Sequence, residues 1–160
     1  MANDENSLTG MKQFLELLPD TVLIVNKEGF IEDLLNYQPE ISLFLTPQQQ
    51  KGQTIRELFC YKNLRGDSGN ELLNAFLDTM ETRKSNIIHY EVENEGHIGY
   101  AEGYIIPFED YTFGIFRNMT KRVEAQLETI NEKNKLTMAL KAGNLSVWSY
   151  LPESDSFDLS

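Results

Sequence analysis

Two histidines, one cysteine and a run of glutamates are the side chains of this sequence best placed to do chemistry. His89 and His97 flank Asn94-Glu95-Gly96, a hairpin signal, so they fall on two strands instead of one helix face. Neither has a cysteine or carboxylate at metal-ligand spacing, and they read as a strand histidine and an exposed turn histidine. Glu91, Glu93, Glu95 and Glu102 have the charge for a divalent cation, but acids alternating along a hairpin read better as a solvated face. Gly99, Gly103 and Gly114 lie in strand contexts, where glycine marks a bulge or a close backbone approach and not a phosphate loop. Cys60, in Phe59-Cys60-Tyr61-Lys62, reads as a structural thiol. General acid–base chemistry needs groups of complementary pKa brought together. No catalytic set and no metal site is assigned, and the chain reads as non-catalytic. A small enzyme whose catalytic groups are scattered along the chain is a rival that only loss of turnover on mutating His89, Glu91 and Tyr104 would support.

A ligand pocket is better motivated. Leu73, Phe76 and Met80 share one face of a helix that must pack on a sheet. With Phe59, Tyr90, Tyr104 and Ile115 they are the candidate lining, the tyrosine hydroxyls serving as polar anchors. The competing reading is a plain filled core, because aromatic and methionine stripes are more often packing than cofactor boxes.

The elements that would position these residues emerge from periodicity. Residues 1–10 read as a flexible lead-in. Met11, Phe14, Leu15 and Leu18 recur at helical spacing until Pro19-Asp20 stops them. Thr21 to Asn26 is a buried strand, Lys27-Glu28-Gly29 a turn, and Phe30 to Leu35 the returning strand. Ile41 to Leu45 is a short apolar piece and 47–52 a loop. Thr54 caps a single helical turn. Ser68-Gly69-Asn70-Glu71 has the form of a capping box, opening an amphipathic helix whose apolar face is Leu73, Phe76, Leu77 and Met80. Strands over 86–93, 97–108 and 111–117 complete the body.

Thr120 to Lys141 lacks Gly and Pro and predicts one long helix. Val123, Leu127, Ile130 and Asn134 step by four, three and four, the seam of a coiled coil with one polar core position. Glu124, Glu128 and Glu132 repel one another along this helix, which therefore needs a partner for its apolar seam. A parallel homodimer is the preferred partner, with Asn134 fixing register. From residue 136 the grammar of the opening repeats: helix, apolar strand, acidic turn at Glu153-Ser154-Asp155, then a strand from Phe157. Residues 136–160 thus read as the truncated start of a second, similar domain.

The formal charge of −11, from 25 acidic and 14 basic residues, argues against nucleic acid and against an anionic membrane surface. The acidic N-terminus has no signal-peptide character, and no apolar run approaches the roughly 18 residues of a membrane span. With a single cysteine, a reducing cytoplasmic setting fits best.

Three segments sharpen this order into a resemblance. Leu18 to Gly29 (LPDTVLIVNKEG) resembles the first strand and acidic-Gly turn of the PAS sensory domain. Lys51 to Phe59 (KGQTIRELF) is similar to its "GK-S-hydrophobic-x-x-LF" segment, and Phe116 to Arg122 (FRNMTKR) to its "R-D-I-T-x-R" exit. The resemblance covers residues 11–135. It implies an α+β fold, a five-stranded antiparallel sheet with helices on one face followed by a long C-terminal helix. It further implies a signal-input role in a multi-domain protein such as a sensor histidine kinase of a two-component system, with an output domain downstream in the same chain and a possible small-molecule ligand. Arg117, Asn118 and Thr120 then carry the relay; Asn118 stands where the family usually has Asp, and retains the capacity to cap the helix. Cofactor identity stays open. Haem is disfavoured because residues 68–85 hold no histidine, and covalent flavin because Cys60 lacks the surrounding motif. The alternative function is a dimerising spacer without a ligand.

Overall fold

The computed structural model describes residues 2–41, 51–59, 64–143, 148–151 and 156–159. Strand β1 (Thr21–Asn26) is apolar on both of its faces, with Val22, Leu23, Ile24 and Val25 fully buried. A strand of that composition belongs in the interior of a sheet covered on both sides. It lies there: β2 (Ile31–Leu35) pairs with one edge and β5 (Tyr111–Asn118) with the other. Beyond β5 come β4 (His97–Phe108) and β3 (Asn86–Asn94), all antiparallel. The β3–β4 turn is Glu95-Gly96, both at positive φ (51° and 82°), the geometry that suits the twist of a two-residue hairpin. The five-stranded antiparallel sheet expected from the sequence is therefore present, and so is the tight β3–β4 turn.

Each face of the sheet carries its own core. On the inner face Leu23, Val25, Tyr90, Val92, Ala101, Ile105 and Phe116 meet Ile55, Leu58, Phe59, Leu72 and Phe76 from two helices, α2 (Ile55–Leu58) and α3 (Ser68–Thr82), and the residue that ends α2. On the outer face Val22, Ile24 and Phe113 meet Leu15, with Leu8 and Met11 packed alongside. These belong to α1 (Ala2–Leu15), so the segment 2–10 expected to be a lead-in is helical. Its apolar stripe is Leu8, Met11 and Leu15, which leaves Phe14 outside at 60% exposure. Lys12 Nζ to Asp33 Oδ2 at 2.9 Å pins the helix to β2.

The Thr54 cap is present as a full capping box with Glu57, whose carboxyl is held below the usual range by the Thr54 backbone N–H and then by its hydroxyl. The box expected at Ser68 is not formed. The helix begins at Ser68 itself, the cap position is Asp67, and its carboxylate accepts from Asn70 instead of from the backbone. The buried face of α3 is Leu72, Phe76 and Thr79, one step round from the expected stripe; Leu73, Leu77 and Met80 flank it, half-buried.

The chain divides into two compact units, 1–120 and 121–160. The long helix α4 (Thr120–Ala142) runs without a break across residue 135, and Leu127, Ile130, Leu136 and Met138 are exposed on it. In the second unit β6 (Trp148–Leu151) and β7 (Ser156–Leu159) form an antiparallel hairpin. No described helix is long and apolar enough to cross a membrane. The expected apolar piece 42–45, most of the 47–52 loop and Cys60 lie outside the described residues.

Candidate functional site

Strand alternation decides which of the expected pocket residues can meet. Phe59, Phe76 and Tyr90 share the inner core, with Leu73 and Met80 at its margin. Phe59 and Phe76 pack as tilted rings 5.6 Å apart, and Tyr90 stands edge-on to Phe116 at 5.9 Å. Ile115 does not join them: it packs with the outer cluster around Val22 and Phe113. Tyr104, opposite Ile115 in the β4–β5 register, is likewise on the outer face. Gly103, Gly114 and Phe116 take the inner positions that the pocket reading gives to those two. A Cβ on Gly114 would lie 2.6 Å from Phe76 Cζ and 2.8 Å from Phe116 Cζ, so two phenyl rings fill the space between α3 and β5.

One polar atom in this core is unlike its neighbours. Tyr90 is 3% exposed and its hydroxyl has no hydrogen-bond partner among the described residues. Burial pushes its pKa up. A buried hydroxyl left unpaired is costly.

On the outer face Tyr104 donates to Glu102 at 2.8 Å, and His89 Nε2 lies 3.1 Å from the other Glu102 oxygen. The Tyr104 hydroxyl first, and His89 after it, hold the Glu102 carboxyl below the usual range. Arg117 stacks over the Tyr104 ring at 5.9 Å. An ionised Glu102 held by these neighbours is an acceptor with no proton to give. Glu91, the third member of the enzymatic alternative, is held by Arg65 at 3.2 Å, and the same guanidinium reaches Glu93 at 3.4 Å. Within this acidic stretch Glu91 and Glu93 are thus ion-paired instead of simply solvated.

The expected relay residues converge at the exit from the sheet. Arg117 donates from Nε and Nη2 to the Asp20 carboxylate at 3.1 to 3.4 Å, and Asp20 is only 7% exposed. Asn118 Oδ1 accepts the Thr120 N–H at 3.0 Å, so asparagine does satisfy the first turn of α4. Thr120 Oγ1 accepts from the Tyr100 N–H at 3.0 Å, and the Met119 N–H donates to the Tyr100 carbonyl at 2.8 Å. Both backbone groups of one β4 residue thus hold the two residues where strand becomes helix. Among the seam residues Val123 is half-buried, Leu127 and Ile130 are more than half exposed, and Asn134 is exposed.

Three residues of this region are absent from the sequence-based set. Asp20 is read there as part of a helix stop and of the Leu18–Gly29 segment, with no role assigned to its charge. Asn36, just after β2 at φ +51°, donates Nδ2 to the carbonyls of Leu15, Leu18 and Asp20 at 2.8, 2.9 and 3.3 Å. Tyr100 acts through its backbone and leaves no side-chain signal.

No protein-family profile and no curated protein matches this sequence. Solved structures do. An RNA-binding Light-Oxygen-Voltage receptor overlays with a TM-score of 0.53 at 11% identity, covering 77% of this chain and 34% of that one. The PAS domain from Bordetella pertussis BvgS overlays at 0.49 with 20% identity, over 82% of this chain and 98% of that domain. The Cronobacter turicensis RpfR quorum-sensing receptor PAS domain, in complex with BDSF, gives 0.49 at 12% identity over 64% and 96%. At 11% identity the first of these likenesses is one of fold alone.

Proposed function

We propose that this chain, which has the PAS fold, is a cytoplasmic signal-input domain that reports the state of its sheet to α4 and catalyses nothing itself. The observation that carries the reading is the double attachment of Met119 and Thr120 to Tyr100. A helix that begins on hydrogen bonds to an interior strand of the sheet moves when that strand moves. A linker serving only to space two domains would gain nothing from such coupling. The downstream partner in this reading is an output domain of the same protein, a histidine kinase being the leading candidate, with residues 136–160 as the opening of a second domain of the same type.

In this reading α4 works as a parallel pair. Leu127 and Ile130 offer an apolar seam that is about half exposed, and burying the rest of it in a second copy contributes about 1 kcal/mol per side chain. Asn134 selects the register at a cost in stability. Movement at Tyr100 then rotates or splays the pair and biases the output domain. The input is a small molecule that satisfies the Tyr90 hydroxyl from within the inner core.

The spacer alternative is favoured by one observation, the filling of the Gly114 niche by Phe76 and Phe116, which leaves the input to come from elsewhere than that niche. Sedimentation of the purified chain, with spin labels at position 128, separates the readings. Input coupling predicts a dimer whose label–label distance changes when Thr120→Val removes the hydroxyl that accepts the Tyr100 N–H. An unchanged distance in a dimer supports the spacer, and a monomer at tens of micromolar sinks the paired-helix relay.

A further inference from the structure

The polar contacts at the exit converge with a second set that has no part in the inner core. Asp20 sits five residues beyond the end of α1, and Arg117 three residues before the start of α4. Between α1 and Asp20 the chain is wound tightly, with Leu17 N–H on the Phe14 carbonyl and Leu18 N–H on the Leu15 carbonyl, both at 3.1 Å. Asn36 binds the carbonyls of Leu15, Leu18 and Asp20 from one amide group, while the Thr21 hydroxyl returns a bond to the Asn36 carbonyl at 2.8 Å. The connection therefore has little slack. Leu15 is the last residue of α1, and the Asn36 amide ties its carbonyl to those of Leu18 and Asp20, so a shift of α1 carries the three with it as one piece. The buried Asp20 carboxylate then acts on Arg117, the residue before Asn118.

We propose that α1 is an input element of this domain, and that the Asp20–Arg117 pair delivers its position to the start of α4. The domain then has two inputs to one exit: the inner core, and α1 on the opposite face of the sheet. This rests on the relay through Tyr100 and Thr120 proposed above, but not on a ligand or on dimerisation. A rival route exists through packing alone, since Leu15 and Phe113 of β5 belong to the same buried cluster. The two routes differ in whether the carboxylate charge of Asp20 is needed.

Amide hydrogen exchange at Met119, whose N–H is bonded to Tyr100, reads the exit directly. Leu15→Ala loosens α1 and is expected to raise Met119 exchange about tenfold, with Ile105 in the inner core as the control that must not follow it. In an Asp20→Asn background the same Leu15→Ala change is expected to alter Met119 by less than about threefold, because the pair is already uncoupled. Should Leu15→Ala unfold the chain, Lys12→Ala, which only releases α1 from Asp33, takes its place with the same comparison. An equal rise in both backgrounds would overturn the proposal in favour of packing through Phe113. No rise in the otherwise unmodified chain would overturn it outright. Thr120→Val distinguishes the failures: if it raises Met119 exchange while α1 variants do not, the exit relay stands and only the α1 route is lost. If Thr120→Val also leaves Met119 unchanged, both fall.

Discussion

Gly114 of β5 lies directly beneath Phe76 of α3, so closely that a methyl group on the glycine would stand 2.6 Å from the ring's Cζ. Helix and sheet approach one another here because a side chain is missing. Phe76 is fully buried and Phe116 closes the same space from the strand, so neither ring has room to give way. Gly114→Ala should therefore destabilise the domain by about 2 kcal/mol through overpacking. Urea unfolding of Gly114→Ala, Phe76→Leu and the double variant checks it. The double variant should lose clearly less than the sum of the two, and strict additivity would refute the contact.

Removing the Tyr90 hydroxyl deletes a buried group that has no partner among the described residues. Tyr90→Phe is expected to leave the ligand-free domain as stable as before or to gain about 1 kcal/mol. A loss of about 1 kcal/mol or more on urea titration would mean that the hydroxyl is already satisfied.

The same residue sets an alkaline limit. Burial raises the Tyr90 pKa in the folded state, so the native protein keeps its proton where the unfolded chain, with a pKa of about 10, gives it up. The unfolded state then binds fewer protons, and stability present below about pH 10 declines as pH rises past it, by up to about 1.4 kcal/mol per pH unit from this group. Tyr90→Phe should remove that part of the slope. Unfolding free energies of both proteins between about pH 9 and pH 11 test this, and parallel curves would contradict it.

On the outer face the order of causes at Glu102 makes a distinct prediction. The Tyr104 hydrogen bond comes first among the interactions that hold the carboxyl low, ahead of the His89 hydrogen bond and the His89 charge taken one at a time. Carbon-detected NMR titration of Glu102 should therefore move upward in Tyr104→Phe, and move upward also in His89→Ala. A titration unchanged in Tyr104→Phe would show that the hydroxyl does not hold the carboxylate.

Asn36 combines a left-handed backbone with three accepting carbonyls. Asn36→Ala loses both advantages and should cost about 2 kcal/mol. Asn36→Gly keeps the backbone freedom and should recover only a part of it. Thermal or urea unfolding of the pair apportions the two effects.

Element types are legible in the sequence wherever one physical signal dominates. The β-branched run at 21–26, the hairpin glycine at 96, the Thr54 cap and the long helix from Thr120 are of this kind. Strand register is not, because alternation gives two faces without saying which one meets α3. A sequence reading places Tyr104 and Ile115 in the inner core for that reason, and only the glycines opposite Phe76 and Phe116 identify the inner side. In α1 the polar residues 3–7 mask a helix that is held by Leu8, Met11 and Leu15 against a second core. The exit is legible at Arg117, Asn118 and Thr120. Their partners are not, since Asp20 is 97 residues away and Tyr100 contributes only its backbone.

The double burial of β1 has a price in information. A strand with one wet face has its register chosen by water: a slip of one residue turns every apolar side chain outward. In Val22-Leu23-Ile24-Val25 such a slip exchanges one buried aliphatic residue for another, and burial alone scarcely opposes it. The alignment must then be written at the ends of the strand. Thr21 bonds the Asn36 carbonyl at one end, while at the other Asn26 donates to Glu32 at 2.7 Å and accepts the N–H groups of Glu28 and Phe30. Those polar bookends make β1 a ruler with marks only at its tips. Errors of strand alignment during folding should accordingly be commoner in variants of Thr21 and Asn26 than in conservative variants of the four residues between them.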